Sequence, residues 1–171
     1  AASHLGAKPN FVDIEPASLG MCPVALDEYL QKIAVNRDSG LYNILTNRRL
    51  AAIVPVHIFG HPAAIKEIKL VADSWNLPVV EDAAEALGSY ASGKHCGLFG
   101  EIGCLSFNGN KLITTGGGGA LLISNPELAA RARHLSTTAK QKHPWKLLHD
   151  QVAWNDRLPN LNAADRKSTR L

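Results

Sequence analysis

The sequence lacks the features of a membrane-spanning or exported protein. No segment approaches the roughly 18 consecutive apolar residues that a transmembrane helix requires. The first residues, AASHL, lack the basic and then apolar arrangement of a signal peptide, so we expect no export. The cysteines Cys22, Cys96 and Cys104 are odd in number and form no C-x-x-C pair. This pattern favours free thiols in a reduced, cytoplasmic protein.

A basic surface for nucleic acid is also missing. The formal net charge is +3, and residues 165–171 (DRKSTRL) contribute +2 of it. The rest of the chain therefore carries only a slight excess of basic residues. Because nucleic-acid binding requires Lys and Arg gathered on one face, we expect no such partner. The hydrophobic content of 46% in turn excludes a largely disordered chain.

Common phosphate-binding and metal-binding motifs are absent. The run Gly116–Gly119 has neither G-x-G-x-x-G nor G-K-[ST] spacing, and a strand pattern follows it where a helix is required. These glycines instead predict positive φ angles or a close approach of backbone. His57 and His61 are four residues apart, but Phe59-Gly60 and Pro62 favour a loop over a helix. No metal site is expected there.

Short β-branched runs alternate with helical patterns along the chain, which predicts an α/β domain with a mostly parallel sheet. Helices are predicted to begin at Pro23, Pro62 and Pro126, the last of them capped by Asn125. Pro55, inside one strand candidate, indicates an edge position or a local irregularity. The strand candidates are Phe11–Ile14, Ala51–Ile58, Pro78–Glu81, Ile102–Phe107 and Ala120–Ser124.

Residues 165–171 differ from the rest of the chain. The apolar periodicity stops at Ala164, and DRKSTRL has no apolar face to bury. This segment is similar to the translation of a common sequencing adapter. We therefore expect a non-native tail, and we expect the helix that begins near Asn160 to be interrupted after one turn. The alternative is a solvated, basic C-terminal tail.

Three polar blocks follow strand candidates, namely VEDAAEALGS at 80–89, LSFNGNK at 105–111 and TTGGGGA at 114–120. In open α/β sheets ligands bind at the carboxyl ends of the strands, so these blocks can converge on one pocket. A neutral lysine condenses with an aldehyde, and a carboxylate keeps a facing pyridine nitrogen protonated. Lys111 and Asp82 together match what a pyridoxal phosphate site needs. Taken singly, they match a surface lysine and a helix cap.

These blocks, together with VHIFGHPA and NDRLPNLNAA, resemble the DegT/DnrJ/StrS family of pyridoxal phosphate-dependent sugar aminotransferases. The resemblance covers essentially residues 1–164 and is greatest to the branch that acts on UDP-linked 4-keto-6-deoxy-N-acetylhexosamines. It implies the α/β large-domain core of a fold type I, aspartate aminotransferase-like transferase. Residues 1–164 would be its central part. The N-terminal segment and the small C-terminal domain of the family would lie outside this chain.

The resemblance also implies a role for each candidate site residue. Lys111 would bind the cofactor through an imine linkage and carry protons, while Asp82 would face the pyridinium nitrogen. Ser106 falls at the phosphate-binding serine of the family. Glu85 stands where many relatives carry a glutamine near the cofactor ring. Asn155 matches an asparagine that reaches the phosphate of the neighbouring subunit.

The activity implied is transfer of an amino group from glutamate to a nucleotide-linked 4-keto-6-deoxy sugar by a homodimer. Two alternatives remain open. One is a keto-sugar dehydratase of the same family, against which Lys111 argues because those enzymes typically carry histidine at that position. The other is an inactive, truncated domain that self-associates through surfaces meant for the missing parts.

Overall fold

A computed structural model of the chain describes residues 2–168, with side chains described through residue 164. No helix within residues 2–168 has the length and apolar character needed to cross a membrane. In this range, short 3-10 helices lie at Ala2–Leu5 and Ile58–Gly60, and the α-helices are α1 (Pro23–Ile33), α2 (Ile65–Ser74), α3 (Pro126–Ser136) and α4 (Asn160–Ser168). The strands are β1 (Ala34–Arg37), β2 (Gly40–Asn43), β3 (Arg48–Arg49), β4 (Val80–Asp82), β5 (Tyr90–Ala91), β6 (Lys94–His95), β7 (Ile102–Ser106) and β8 (Gly119–Leu122).

The central sheet combines parallel and antiparallel pairing. β4 and β7 run parallel, with Asp82 opposite Cys104, and β8 pairs antiparallel with β7. The run 51–58 lies on the other side of β4 and is joined to Val79 and Asp82 by two isolated parallel bridges. Pro55 interrupts this run because it has no N–H to donate, although its carbonyl accepts from the N–H of Asp82 at 2.9 Å. The irregularity expected at Pro55 is therefore present.

The hydrophobic core lies between α1, α2 and the central sheet. Both helices bury one apolar stripe, because their apolar residues recur at three- and four-residue spacings. Ile53 and Val79 supply the sheet side of the same cluster. The buried helix residues are Leu26, Leu30, Ile33, Ile65, Ile68 and Ala72.

Replacement of Ile68 by alanine tests this core. Ile68 has 0% of its surface exposed, so its truncation leaves a cavity among residues that cannot fully collapse. We expect the free energy of unfolding to fall by about 2–5 kcal/mol, measured by urea denaturation. Leu70→Ala is the control, because Leu70 lies on the same helix and is 71% exposed. Equal losses in the two variants would contradict this account of the core.

The start of α2 differs from the prediction. The helix begins at Ile65 rather than at Pro62. The backbone N–H of Ala63 donates to Nδ1 of the buried His57 at 3.1 Å, and Ala64 has a non-helical ψ of 54°. This tertiary hydrogen bond holds residues 62–64 in the preceding loop, so the helix starts three residues later.

The N-terminal quarter of the chain departs most from the sequence patterns. The strand predicted at Phe11–Ile14 is reduced to a single bridge between Ile14 and Met21. Phe11 is 87% exposed. In addition, β1, β2 and β3 form an antiparallel sheet that the patterns did not predict.

The two C-terminal helices give one agreement and one correction. α3 begins as predicted, with Oδ1 of Asn125 accepting from the N–H groups of Glu127 and Leu128 at 2.8 and 3.0 Å. α4 is not interrupted after one turn, because its backbone continues through Asp165 to Ser168. The origin proposed for the tail at 165–171 stays a prediction, and residues 169–171 lie outside the described residues.

Candidate active site

The polar residues predicted to converge lie at the carboxyl edge of the central sheet. Asp82 is the last residue of β4, and Ser106 is the last residue of β7. Because the two strands are parallel neighbours, both residues come to the same edge. The loop from 107 to 118 begins there and carries Lys111. The sequence prediction that the three blocks meet at one edge agrees with this topology.

Asp82 is held at the end of its strand with part of its carboxylate still available. Its Oδ1 accepts from the N–H of Ala84 at 3.1 Å, which orders the turn that follows β4. Among the described residues, Oδ2 has no hydrogen-bond partner. The side chain is half-buried, so one carboxylate oxygen remains available to a ligand at this edge.

The amine of Lys111 contacts the carboxylate of Glu85. The distance from Nζ to Oε1 is 3.1 Å, and the lysine side chain is only 17% exposed. The backbone N–H of Lys111 donates to the carbonyl of Asn108 at 3.0 Å, which closes a tight turn after β7. The structure thus brings together two of the residues predicted for the site.

The second oxygen of Glu85 is bound by residues 57–61, which we call the 57–61 loop. In this loop, the N–H of Phe59 donates to Oε2 of Glu85 at 3.1 Å. Phe59 has φ 50° and ψ 26°, a left-handed conformation that is an outlier for a bulky residue, and its side chain is 88% exposed. Gly60 packs against residue 85, because a Cβ there would lie 2.6 Å from the carbonyl oxygen of Glu85.

Ser106 and Asn155 differ in how they relate to this edge. The hydroxyl of Ser106 accepts from the N–H of Asn108 at 3.3 Å and is half-buried at the end of β7. Asn155 is exposed, forms a bridge with Thr137, and accepts from Nε of Arg157 at 3.5 Å. Within residues 2–164, no hydrogen bond or ion pair joins it to the other four predicted site residues. Its role toward a neighbouring subunit stays a prediction.

The glycine run after Lys111 permits close packing, as the sequence predicted. Gly118 has φ 87°, and a Cβ added there would collide with the side chain of Leu158. A Cβ on Gly119 would collide with the carbonyl oxygen of Leu105 on β7. In α4, the side-chain amide of Asn162 donates to the carbonyl of Thr115. The loop that carries Lys111 is therefore packed against the start of α4.

Behind the site lies a buried pair, His57 and Glu81, that the sequence analysis did not single out as functional. Their exposed fractions are 1% and 0%, and the distance from His57 Nε2 to Glu81 Oε2 is 3.0 Å. The N–H groups of Gly97 and Gly100 donate to the two carboxylate oxygens at 2.7 and 2.6 Å. Burial alone would raise the pKa of Glu81, but the hydrogen bonds from His57, Gly100 and Gly97 outweigh it and hold this pKa below its usual value.

Cys96 and Cys104 have the properties of packing residues rather than nucleophiles. Burial is the main cause that raises the pKa of each thiol, and the carboxylates of Glu81 and Asp82 raise it further for Cys96 and Cys104, respectively. A raised pKa keeps a thiol protonated at neutral pH, and the protonated thiol is a poor nucleophile. This agrees with the sequence prediction of free thiols.

An open cleft of about 730 Å³ lies at the C-terminal end of α3, in the segment that follows it. Within the part of the chain that the structure describes, none of the five predicted site residues lines it, and neither does any carboxylate. Its lining is cationic, with Lys140, Lys142, His143 and Arg157 as the basic members.

The chain matches a known family of proteins over nearly its whole length. A model of the DegT/DnrJ/EryC1/StrS aminotransferase family matches residues 1–166. EpsN of Bacillus subtilis, which is named as a pyridoxal phosphate-dependent aminotransferase, is 39% identical over 158 residues, covering 92% of this chain and 38% of EpsN. The GDP-perosamine synthase of Escherichia coli O157:H7 is 37% identical over 164 residues, covering 96% of this chain and 40% of that protein. The chain thus spans about two fifths of the length of these relatives.

The fold has a match among solved structures. The crystal structure of a DegT DnrJ EryC1 StrS aminotransferase from Brucella abortus has a TM-score of 0.79 and 30% sequence identity to this chain. The match covers 95% of this chain and 41% of the other chain. The predicted fold class, an incomplete large-domain core of a fold type I transferase, is therefore confirmed.

Proposed function

Since the chain belongs to the DegT/DnrJ/EryC1/StrS aminotransferase family, we propose that it supplies the cofactor-binding core of a sugar aminotransferase. The cofactor of this family is pyridoxal phosphate, as the sequence analysis expected. The active enzyme would be longer than this chain, in line with the length of its relatives. The observation that carries the proposal is the largely covered amine of Lys111. It lies in the loop that follows the sheet edge where β4 ends at Asp82 and β7 ends at Ser106.

The residues at this edge fit the cofactor chemically. The half-buried amine of Lys111 suits the aldehyde of the cofactor, and the carboxylate of Asp82, with one available oxygen, suits its ring nitrogen. The hydroxyl of Ser106 suits its phosphate. Lys111 would hold the aldehyde and later carry a proton on Nζ, while Asp82 would hold a proton at the ring nitrogen. Ser106 would donate to the phosphate. When bound, pyridoxal phosphate supplies an electron-accepting ring that stabilises negative charge on an adjacent carbon.

Glu85 supports this assignment as the residue that orients the amine. Its carboxylate lies between Nζ of Lys111 and the N–H of Phe59, at 3.1 Å from each. A lysine side chain has four flexible bonds, so a fixed partner reduces the number of positions available to its amine. Glu85 would thus keep the amine at the sheet edge until an aldehyde arrives.

The substrate is proposed at a finer level than the family provides. A nucleotide-linked keto sugar as the amino acceptor is supported by the relative named GDP-perosamine synthase. The UDP-linked 4-keto-6-deoxy-N-acetylhexosamine and the glutamate donor rest on the sequence resemblance alone. A cytoplasmic location is supported by the three free cysteines among the described residues.

A homodimer is the assembly we propose for the active enzyme. Several large apolar side chains are exposed on the chain, and association with a second copy would cover part of this surface. Asn155, predicted to act in a neighbouring subunit, is itself exposed. The most exposed of these apolar side chains are Phe11, Phe59, Trp145, Val152 and Leu161.

Chemical trapping of the cofactor tests the proposed function. With pyridoxal phosphate added, we expect a visible absorbance band, and borohydride reduction should fix one cofactor to Lys111 because its amine is the one held at the edge. Peptide mapping by mass spectrometry identifies the labelled lysine. Lys111→Arg should lose the label, while Lys66→Arg, on the exposed face of α2, should keep it. Label spread evenly over surface lysines would contradict the proposal.

A further inference from the structure

We propose that Glu81 and His57 are positioning residues for the amine of Lys111, acting on it through the 57–61 loop and the carboxylate of Glu85. The inference rests on the proposed function for the importance of Lys111. The contacts themselves belong to the described chain and can be tested without a substrate.

The first link is the carboxylate of Glu81. Side chains alternate along a strand, so Glu81 points to the opposite face of the sheet from Asp82 and into the interior. There it accepts three hydrogen bonds, from His57 and from the backbones of Gly97 and Gly100. Because it is fully buried, water cannot replace a lost partner.

The second link is His57, which is held at three atoms. Its backbone N–H donates to the carbonyl of Asp82 at 3.1 Å. Its Nδ1 accepts from the N–H of Ala63, which can only donate, so the ring proton resides on Nε2 and is donated to Glu81. His57 thus ties β4, through Asp82 and Glu81, to both ends of the segment 57–63.

The third link is the strained residue between those ends. Phe59 adopts a left-handed conformation, which persists only where the surrounding structure enforces it. This conformation directs its N–H to Oε2 of Glu85, and the other oxygen of that carboxylate contacts Lys111. If the anchoring of His57 is lost, the loop can relax, and Glu85 then loses the donor that orients it.

The expected consequence concerns the reactivity of Lys111. The contact with Glu85 fixes Nζ of Lys111, whose side chain is only 17% exposed, so an electrophile has restricted access to this amine. Disturbing Glu81 should therefore release Glu85 and raise the reactivity of Lys111 toward acetic anhydride by about two- to fivefold, the range expected for a partly exposed ion pair. If Glu81 had a purely structural role, its substitution would change the reactivity of Lys111 no more than that of the other lysines.

Competitive acetylation of the purified chain measures this effect. Trace acetic anhydride is applied at one fixed pH, and the acetylation of each lysine is quantified by mass spectrometry relative to the exposed Lys66. Glu81→Gln replaces one accepting carboxylate oxygen by an amide NH2 group, which cannot accept a hydrogen bond from the surrounding donors. His57→Gln keeps a polar side chain but lacks the geometry of the imidazole ring. Both should raise the relative reactivity of Lys111. His57→Gln carries the same test if Glu81→Gln does not fold.

Two further variants separate positioning from loss of stability. Asn43 is buried on β2, and its Oδ1 accepts from the N–H groups of Leu45 and Thr46 at 2.8 and 3.1 Å, away from the 57–61 loop. Asn43→Ala should leave the relative reactivity of Lys111 unchanged. Glu85→Gln should raise it directly, and combining Glu85→Gln with Glu81→Gln should add nothing, because both act through the same contact.

The inference is overturned if Lys111 in the Glu81 and His57 variants behaves as it does in Asn43→Ala. It is also overturned if all lysines gain reactivity together, or if the effects of Glu81→Gln and Glu85→Gln are additive. Its failure differs from failure of the proposed function. If the Glu81 and His57 variants raise the reactivity of Lys111 but the chain takes up no pyridoxal phosphate there, this inference holds and the cofactor assignment is contradicted.

Discussion

Changing Asp82 to asparagine is expected to lower the rate of amino transfer about a hundredfold in the complete enzyme. An amide cannot hold the proton that a carboxylate holds at the ring nitrogen of the cofactor. A hydrogen bond to a charged group contributes about 1.5–3 kcal/mol, and each 1.4 kcal/mol changes a rate about tenfold. The amide oxygen can still accept from the N–H of Ala84, so the turn after β4 should persist.

The measurement is single-turnover amino transfer, together with cofactor binding followed by absorbance. Asp82→Asn should bind the cofactor but react slowly, which separates a chemical role from a structural one. Asp38→Asn is the matched control, because Asp38 is exposed in the turn between β1 and β2. Near-normal turnover in the Asp82 variant would remove this residue from the mechanism.

Replacing Glu81 by alanine is expected to cost about 3–5 kcal/mol of the free energy of unfolding. The substitution leaves three donors without their acceptor, namely the buried Nε2–H of His57, the buried N–H of Gly97 and the half-buried N–H of Gly100. Each buried unpaired donor is costly because water does not reach it. Urea denaturation at pH 7 measures the loss, and Glu67→Ala, at an exposed position of α2, should change stability by less than about 0.5 kcal/mol.

The same residue should contribute to stability against acid. The pKa of Glu81 in the folded chain lies below its usual value of 4.5, so its stabilising effect is fully present above about pH 4.5. The effect is lost as pH falls through the lowered, folded-state pKa. Glu81→Ala should therefore flatten the acid side of the stability profile. Some slope should remain, because hydrogen bonds from Ser18 and from His134 lower the pKa of Glu15 and of Asp150, respectively. An unchanged acid slope would show that Glu81 does not titrate in this way.

The sequence allowed the sheet edge to be predicted because strand ends and turn residues are local features. Asp82 and Ser106 follow β-branched or apolar runs, and parallel pairing then brings them to one edge. Asn125 and Pro126 likewise mark the start of α3 by short-range capping chemistry. The roles of the individual site residues rest on the family resemblance and stay predictions.

Long-range contacts account for what could not be predicted. The hydrogen bond from Ala63 to His57 delays α2, although Pro62 is locally suited to a helix start. The antiparallel sheet of β1, β2 and β3 depends on pairing between segments whose patterns are weak on their own. The contact between Lys111 and Glu85 joins residues 26 positions apart, beyond the reach of any local rule.

The buried pair was missed although the sequence held a sign of it. Glu81 stands in an apolar run one residue before Asp82, so the two side chains must face opposite sides of the strand. If Asp82 faces the ligand edge, Glu81 faces the interior and needs a buried partner. Considering His57 only as a metal ligand left that partner unassigned.

The packing of Leu158 against Gly118 restricts which substitutions these two positions can accept as the sequence evolves. A Cβ at 118 would collide with the tip of the Leu158 side chain, so a side chain there requires Leu158 to move aside or to be replaced by a smaller residue. Gly118 also has a positive φ, which disfavours most replacements even when space is made. Residues 118 and 158 should therefore covary, with glycine retained wherever residue 158 stays large. The loop that carries Lys111 would then be constrained during evolution by a residue 40 positions away in the chain.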